Sequence, residues 1–145
     1  MNFSFSTANS IHLGDGIAKD LCDFLPESTK RAFILTGKTP TRHQFLMGRL
    51  AANDIETAIF PVTSEPTTYL ISNALKNARI FQPDTVIGLG GGSVIDTGKA
   101  LAALLNNDGE LLDYLEIVGK GKPILHPSIP YMAIPTTAGT GSEVT

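Results

Sequence analysis

The chain has 145 residues, 42% apolar and 17% charged, which is enough to bury the core of one ordinary domain and too apolar for a disordered chain. A net charge of −3 gives no electrostatic footprint for nucleic acid, and no apolar run approaches the ~20 residues needed to cross a bilayer. The start, MNFSFSTANS, lacks the basic and apolar regions of a signal peptide. The single cysteine, Cys22, rules out an intrachain disulfide. A cytoplasmic location, with no membrane and no nucleic-acid partner, is the expectation.

Residues Phe3 to Leu13 alternate loosely and predict one or two short strands. Ile17, Leu21, Phe24 and Leu25 then repeat at helical spacing until Pro26, with Cys22 expected as a buried structural thiol on that helix. Arg31–Thr36 is the compact apolar run of a buried strand ending at Gly37. A helix follows from about Thr41 to Asn53, with Phe45, Leu46, Leu50 and Ala51 on its apolar face. Thr57–Phe60 predicts a short strand. Pro66-Thr67 then opens a helix carrying Leu70, Ile71, Ala74, Leu75, Ala78 and Phe81 on one side, and Pro83 ends it.

Next come a strand at Thr85–Leu89, a glycine turn, and a helix to about Asn106, in which Val94, Gly98, Leu101 and Leu105 share a face. A short helix near Leu111–Leu115, a loop from Gly119 to Pro130 and a last strand at Tyr131–Ile134 complete the pattern. Strands alternating with helices, with apolar strand interiors, predict an α/β fold: a Rossmann-like parallel sheet with helices on both faces. The chain ends on turn chemistry directly after a strand, so a piece of a longer protein is expected, its exposed sheet and cleft prone to self-association.

The stretch TVIGLGGGSVIDTGKA, Thr85 to Ala100, carries the most chemistry. A strand runs into three consecutive glycines and a serine, and a helix opens at once. Bare backbone N–H groups and the positive end of the helix dipole together make an anion site, expected to take a phosphate. Neither widespread nucleotide fingerprint fits. Ser93 stands where the dinucleotide pattern has its third glycine. Counting back from Gly98-Lys99, Ser93 also stands at the first glycine of the P-loop pattern, and Ala100 replaces its magnesium-binding hydroxyl. Asp96 falls in the first turn of the expected helix. Two readings of it stay open: orienting neighbouring donors or accepting from a nicotinamide-side group, and pairing with Lys99 three residues on.

Together, GGGSVIDTGKA and, some forty residues on, AIPTTAGTGSEVT resemble the iron-containing (group III) alcohol dehydrogenase family. The opening Phe3, Phe5, Ile11, Gly14 and Gly16, and Glu-Pro-Thr-Thr at 65–68, match as well, so the resemblance spans essentially the whole chain. It implies that residues 1–145 form an NAD(P)-binding N-terminal domain of the dehydroquinate synthase-like type, with a helical metal-binding C-terminal domain absent from this chain. Gly91, Gly92 and Ser93 would hold the diphosphate. Asp96 matches an acidic position near the cofactor. Thr136, Thr137, Thr140 and Ser142 match a threonine-rich loop along the adenine and ribose-diphosphate side, where short hydroxyls donate without filling the cleft.

Cofactor choice departs from the family pattern. Many members carry an Asp at the end of the second strand, which binds the ribose 2′-OH and repels a 2′-phosphate. Here the sequence is Thr36-Gly37-Lys38, so Gly37 removes the repulsion, and Lys38, Thr39 and Arg42 are candidates for phosphate contact. The expectation leans to NADP, or use of both NADP and NAD; a solvated loop Lys38 is the alternative. Glu65 is a second departure, standing where some members carry Asn.

The family reaction moves a hydride between a small alcohol or aldehyde and nicotinamide, with Fe²⁺ or Zn²⁺ as Lewis acid. The family's ligands, an Asp and three His, belong to the C-terminal domain. His12, His43 and His126 show no paired helical spacing, so no metal site and no catalytic residue are assigned within the chain. The expected whole is a metal-dependent alcohol dehydrogenase, with homo-oligomers possible at full length and this piece inactive by itself. The rivals are a relative of the maleylacetate reductase, glycerol dehydrogenase or lactaldehyde reductase type, and a non-catalytic nucleotide-binding or interaction module.

Overall fold

The computed structural model describes residues 7–144. Four strands, β1 (Arg31–Thr36), β2 (Glu56–Pro61), β3 (Thr85–Gly90) and β4 (Tyr131–Pro135), form one parallel sheet in the order β2-β1-β3-β4. Helices α1 (Gln44–Ala52), α2 (Thr68–Phe81), α3 (Gly92–Leu105) and α4 (Leu111–Tyr114) lie between the strands, and a 3₁₀ stretch, Ile17–Phe24, precedes β1.

Side-chain alternation along the two central strands divides the core in two. Phe33, Leu35 and Val86 point to one face, against Ile71, Ala74, Leu75 and Ala78 of α2 and Val94, Leu101 and Leu104 of α3. Ala32, Ile34, Ile87 and Leu89 point to the other, against Leu21 and Leu25 before β1 and Leu46 and Leu50 of α1. Each of these larger aliphatic side chains contributes about 1.5–3 kcal/mol through burial. The expectation of a parallel sheet with helices on both faces therefore holds.

β1 and β3 are neighbours, yet the chain leaves β1 for β2 on one side and returns to β3 on the other. That reversal opens a crevice beyond the carboxyl ends of β1 and β3, where open α/β sheets bind ligands.

Several elements differ from the expected pattern. Residues 3–6 of the expected N-terminal strands lie outside the described residues, and residues 7–13 form no strand. The helix expected before Pro26 is a 3₁₀ stretch kinked at Asp20, and it leaves Cys22 half-buried. Before α1, residues Pro40–His43 form a separate 3₁₀ turn, so α1 begins at Gln44. Its buried face is Leu46 and Leu50; Phe45 is 52% exposed and Ala51 faces solvent. In α3, Leu104 rather than Leu105 is fully buried.

Candidate functional site

The glycine turn sits at the crevice. β3 ends at Gly90, Gly91 caps α3 and Gly92 is its first residue. Gly91 has φ −79° and ψ −173°, which any residue adopts, so its value lies in the missing side chain. A Cβ on Gly91 would come within 3.3 Å of Thr137 Oγ1, and one on Gly92 within 3.3 Å of Ser142 Oγ and 3.5 Å of Thr140 Cγ2. The two sequence motifs thus pack against each other, although 45 or more residues separate these contacts. Thr136 is anchored there too, its N–H donating to the Gly90 carbonyl at 2.9 Å. The threonine loop turns through Gly139 (φ 102°) and Gly141 (φ 68°), left-handed conformations that favour glycine.

On its other side the turn faces an open cleft of about 390 Å³, lined by Gly37 and Lys38 after β1, Val62–Glu65 after β2, and Gly91, Ser93 and Val94. Gly37, Lys38, Gly91 and Ser93 therefore share one space. Nothing lies within 4 Å of a Cβ built on Gly37, so the end of β1 is open. The side chain of Arg42, a third candidate there, lies outside the described ones.

Asp96 requires a correction. Because α3 opens at Gly92, Asp96 lies beyond the first turn, where the dipole has largely fallen away. Its carboxylate accepts from Ser142 Oγ at 3.4 Å, which ties α3 to the threonine loop.

Two participants had no role in the sequence reading. Glu65 accepts a hydrogen bond from Ser93 Oγ at 2.9 Å, at the edge of the glycine turn. The available signal was topological: in a parallel sheet every loop that follows a strand gathers at the same end, so a residue after β2 meets residues after β1 and β3. Tyr131 is the other. Its ring lies where a Cβ on Gly98 would fall, 2.6 Å from Tyr131 Cε2, and its hydroxyl also occupies the space beside Gly88. That hydroxyl donates to the Ile95 carbonyl at 2.9 Å. Burial, and then the charge of Asp96, push its pKa far above the ordinary phenol value, so it remains a donor.

The histidines are dispersed. His12 stacks on Phe24 with ring centroids 4.1 Å apart, and His126 belongs to a loop held through its backbone by Asn107. Among the described residues no group of three or more His, Cys, Asp or Glu side chains is placed to hold a metal ion, so the described side chains do not fit a metal centre. Nor, among the described residues, is any helix long and apolar enough to cross a membrane.

Fold and cleft together define a Rossmann-like α/β domain whose glycine turn lies at the topological switch point. A family model described as iron-containing alcohol dehydrogenase matches residues 8–145. The mitochondrial hydroxyacid-oxoacid transhydrogenase of Bos taurus is 34% identical over 152 residues, covering 99% of this chain and 33% of that protein. Sulfoacetaldehyde reductase from Bifidobacterium kashiwanohense, solved in complex with NAD⁺, superposes with a TM-score of 0.81 at 29% identity, covering 100% of this chain and 39% of that one. NADH-dependent butanol dehydrogenase A from Thermotoga maritima shares the fold, with a TM-score of 0.86 at 23% identity over 99% of this chain and 36% of that one. The chain belongs to the iron-containing alcohol dehydrogenase family. It spans about a third of the length of curated relatives such as the Bos taurus protein.

Proposed function

We propose that this chain is the NAD(P)-binding domain of a metal-dependent alcohol dehydrogenase that transfers a hydride between nicotinamide and a small primary alcohol or aldehyde. One observation carries the reading: the glycine turn at the switch point opens into a cleft shared with the end of β1, and the threonine loop closes its other side. Gly91, Ser93 and Val94 line this cleft, so the start of the fourteen-residue helix α3, with the unpaired backbone N–H groups of its first turn, gives on to it.

In this reading Gly91, Gly92 and Ser93 hold the diphosphate. Thr136, Thr137, Thr140 and Ser142 lie on the other side of the turn, along the ribose-diphosphate, with Asp96 fixing the Ser142 hydroxyl. Gly37 and Lys38 lie where the adenosine ribose would sit and admit a 2′-phosphate, which favours NADP or use of both dinucleotides. Bound nicotinamide supplies the hydride acceptor or donor. The metal, Fe²⁺ or Zn²⁺, is assigned to ligands outside this chain, and no step of catalysis is assigned to the residues described.

Titration of the chain with NADH and NADPH, followed by cofactor fluorescence, tests the reading. Saturable binding of both, with NADPH at least as tight as NADH, is expected. Failure of both to bind would overturn it.

A further inference from the structure

The Glu-Pro-Thr-Thr motif at 65–68 has no part in the proposed function, yet its first residue reaches the site. Glu65 follows β2 and faces the same cleft as Lys38, Gly91 and Ser93. Its carboxylate accepts the single hydroxyl proton of Ser93 at 2.9 Å. A negative charge therefore stands beside the helix start, on the side from which an anion would enter. The opposite side of the glycine turn is taken by Thr137, Thr140 and Ser142.

We propose that Glu65 is an affinity-setting residue of the dinucleotide site, an internal anion that competes with the cofactor's diphosphate for the Ser93 hydroxyl and for the field of α3. The proposal rests on the assignment of the cleft to NAD(P). In the empty cleft the carboxylate satisfies Ser93. When a diphosphate arrives, Ser93 has one proton and two anionic claimants, so it must release Glu65 before it can donate to a phosphate oxygen. Glu65 is solvent-exposed and can swing into water. Its charge nevertheless stays near the phosphates and opposes them, while Lys38 in the same cleft attracts them. The pair gives the site a set point. The lysine raises affinity for phosphorylated ligands and the glutamate lowers it, which favours release of the spent cofactor.

The sign of the effect separates this role from a structural one. Removing a residue that merely props the loop weakens binding, whereas removing a competing anion strengthens it. Calorimetric titration of the 145-residue chain and its Glu65→Gln variant uses inorganic pyrophosphate, ADP and NADPH, with adenosine as the uncharged control. One exposed unit charge a few ångströms from the phosphates predicts roughly five- to tenfold tighter binding of the three phosphate ligands to Glu65→Gln at low ionic strength. The gap should narrow as salt is added, and adenosine affinity should not change. Glu65→Ala should behave like Glu65→Gln, and Glu65→Asp should return toward the parent.

Equal or weaker phosphate binding by both Glu65→Gln and Glu65→Ala would overturn the proposal while leaving the cofactor assignment intact. A tightening that extends equally to adenosine would also overturn it. If no phosphate ligand binds parent or variant, the dinucleotide assignment itself fails, and Glu65 loses its role with it.

Discussion

Replacing Gly92 by valine tests the glycine turn most directly. Gly92 opens α3 with its backbone N–H among the unpaired donors of the first turn. An added Cβ would stand 3.3 Å from Ser142 Oγ and 3.5 Å from Thr140 Cγ2, tight contacts against short side chains on a loop that can give by tenths of an ångström. Alanine is therefore tolerable. Valine adds two methyls about 1.5 Å farther out, and its stiff χ1 leaves few ways to avoid both the threonine loop and the anion position. If the methyls shield one or two backbone donors, each lost hydrogen bond to a charged phosphate costs about 1.5–3 kcal/mol. The dinucleotide Kd should then rise by roughly ten- to a hundredfold or more. Glycine and valine differ little in intrinsic helix propensity, so the melting temperature should move by only a few degrees. NADH fluorescence titration gives the affinity and circular dichroism the fold. A valine variant that melts normally and binds with unchanged Kd would remove this turn from the cofactor site.

Three further outcomes follow from other parts of the molecule. Gly37→Asp meets no steric obstacle and places a carboxylate at the end of β1, so the NADP:NAD affinity ratio should fall at least severalfold; an unchanged ratio in paired titrations refutes the role given to this position. Gly98→Ala forces a methyl into the Tyr131 ring at 2.6 Å, and overpacking of about 1–3 kcal/mol should outweigh the ~1 kcal/mol gained in helix propensity, giving a lower urea midpoint. Asp113, bonded by Lys120, the Glu110 N–H and Lys122, is held well below the usual carboxylate range, at about 2. A depressed carboxylate stabilises fully above its ordinary value near 3.8 and loses that contribution as pH falls toward 2, so Asp113→Asn should flatten the acid limb of a stability–pH profile.

The order of elements was legible because strand interiors and helix faces differ in period. The Ile71, Ala74, Leu75, Ala78 stripe reads as helix from spacing, and Thr67 caps it by accepting the Leu70 N–H at 3.1 Å. Local geometry was less legible. Ile17–Phe24 has an amphipathic pattern, but periodicity does not separate a tight 3₁₀ path kinked at Asp20 from an α-helix. Phe45 and Leu46 are adjacent apolar residues, and which one turns inward depends on where α1 starts. The 3₁₀ turn at Pro40–His43 sets that start and turns Leu46 to the core. A shift of the same kind put Asp96 outside the first turn of α3. The Glu65–Ser93 bond joins residues 28 positions apart on separate loops, so it follows from sheet order rather than from any local pattern.

The glycine-rich motif proves to hold two structures in one run of sequence. Gly88 and Gly98, on β3 and α3, leave room for the ring of Tyr131 from the neighbouring strand β4, whose hydroxyl then bonds the Ile95 carbonyl. Gly90 leaves room for Val94, whose Cγ2 would lie 2.5 Å from an added Cβ. These three glycines bring strand and helix close together and take no part in lining the cleft. Gly91 and Gly92 instead turn the space of their missing side chains to the threonine loop. Close approach of α3 to the sheet is what fixes the helix start beside the end of β3, so the packing glycines act on the proposed anion site through position. Substitutions at Gly88 or Gly98 should therefore lower stability first and cofactor affinity second, the reverse of the order expected at Gly92.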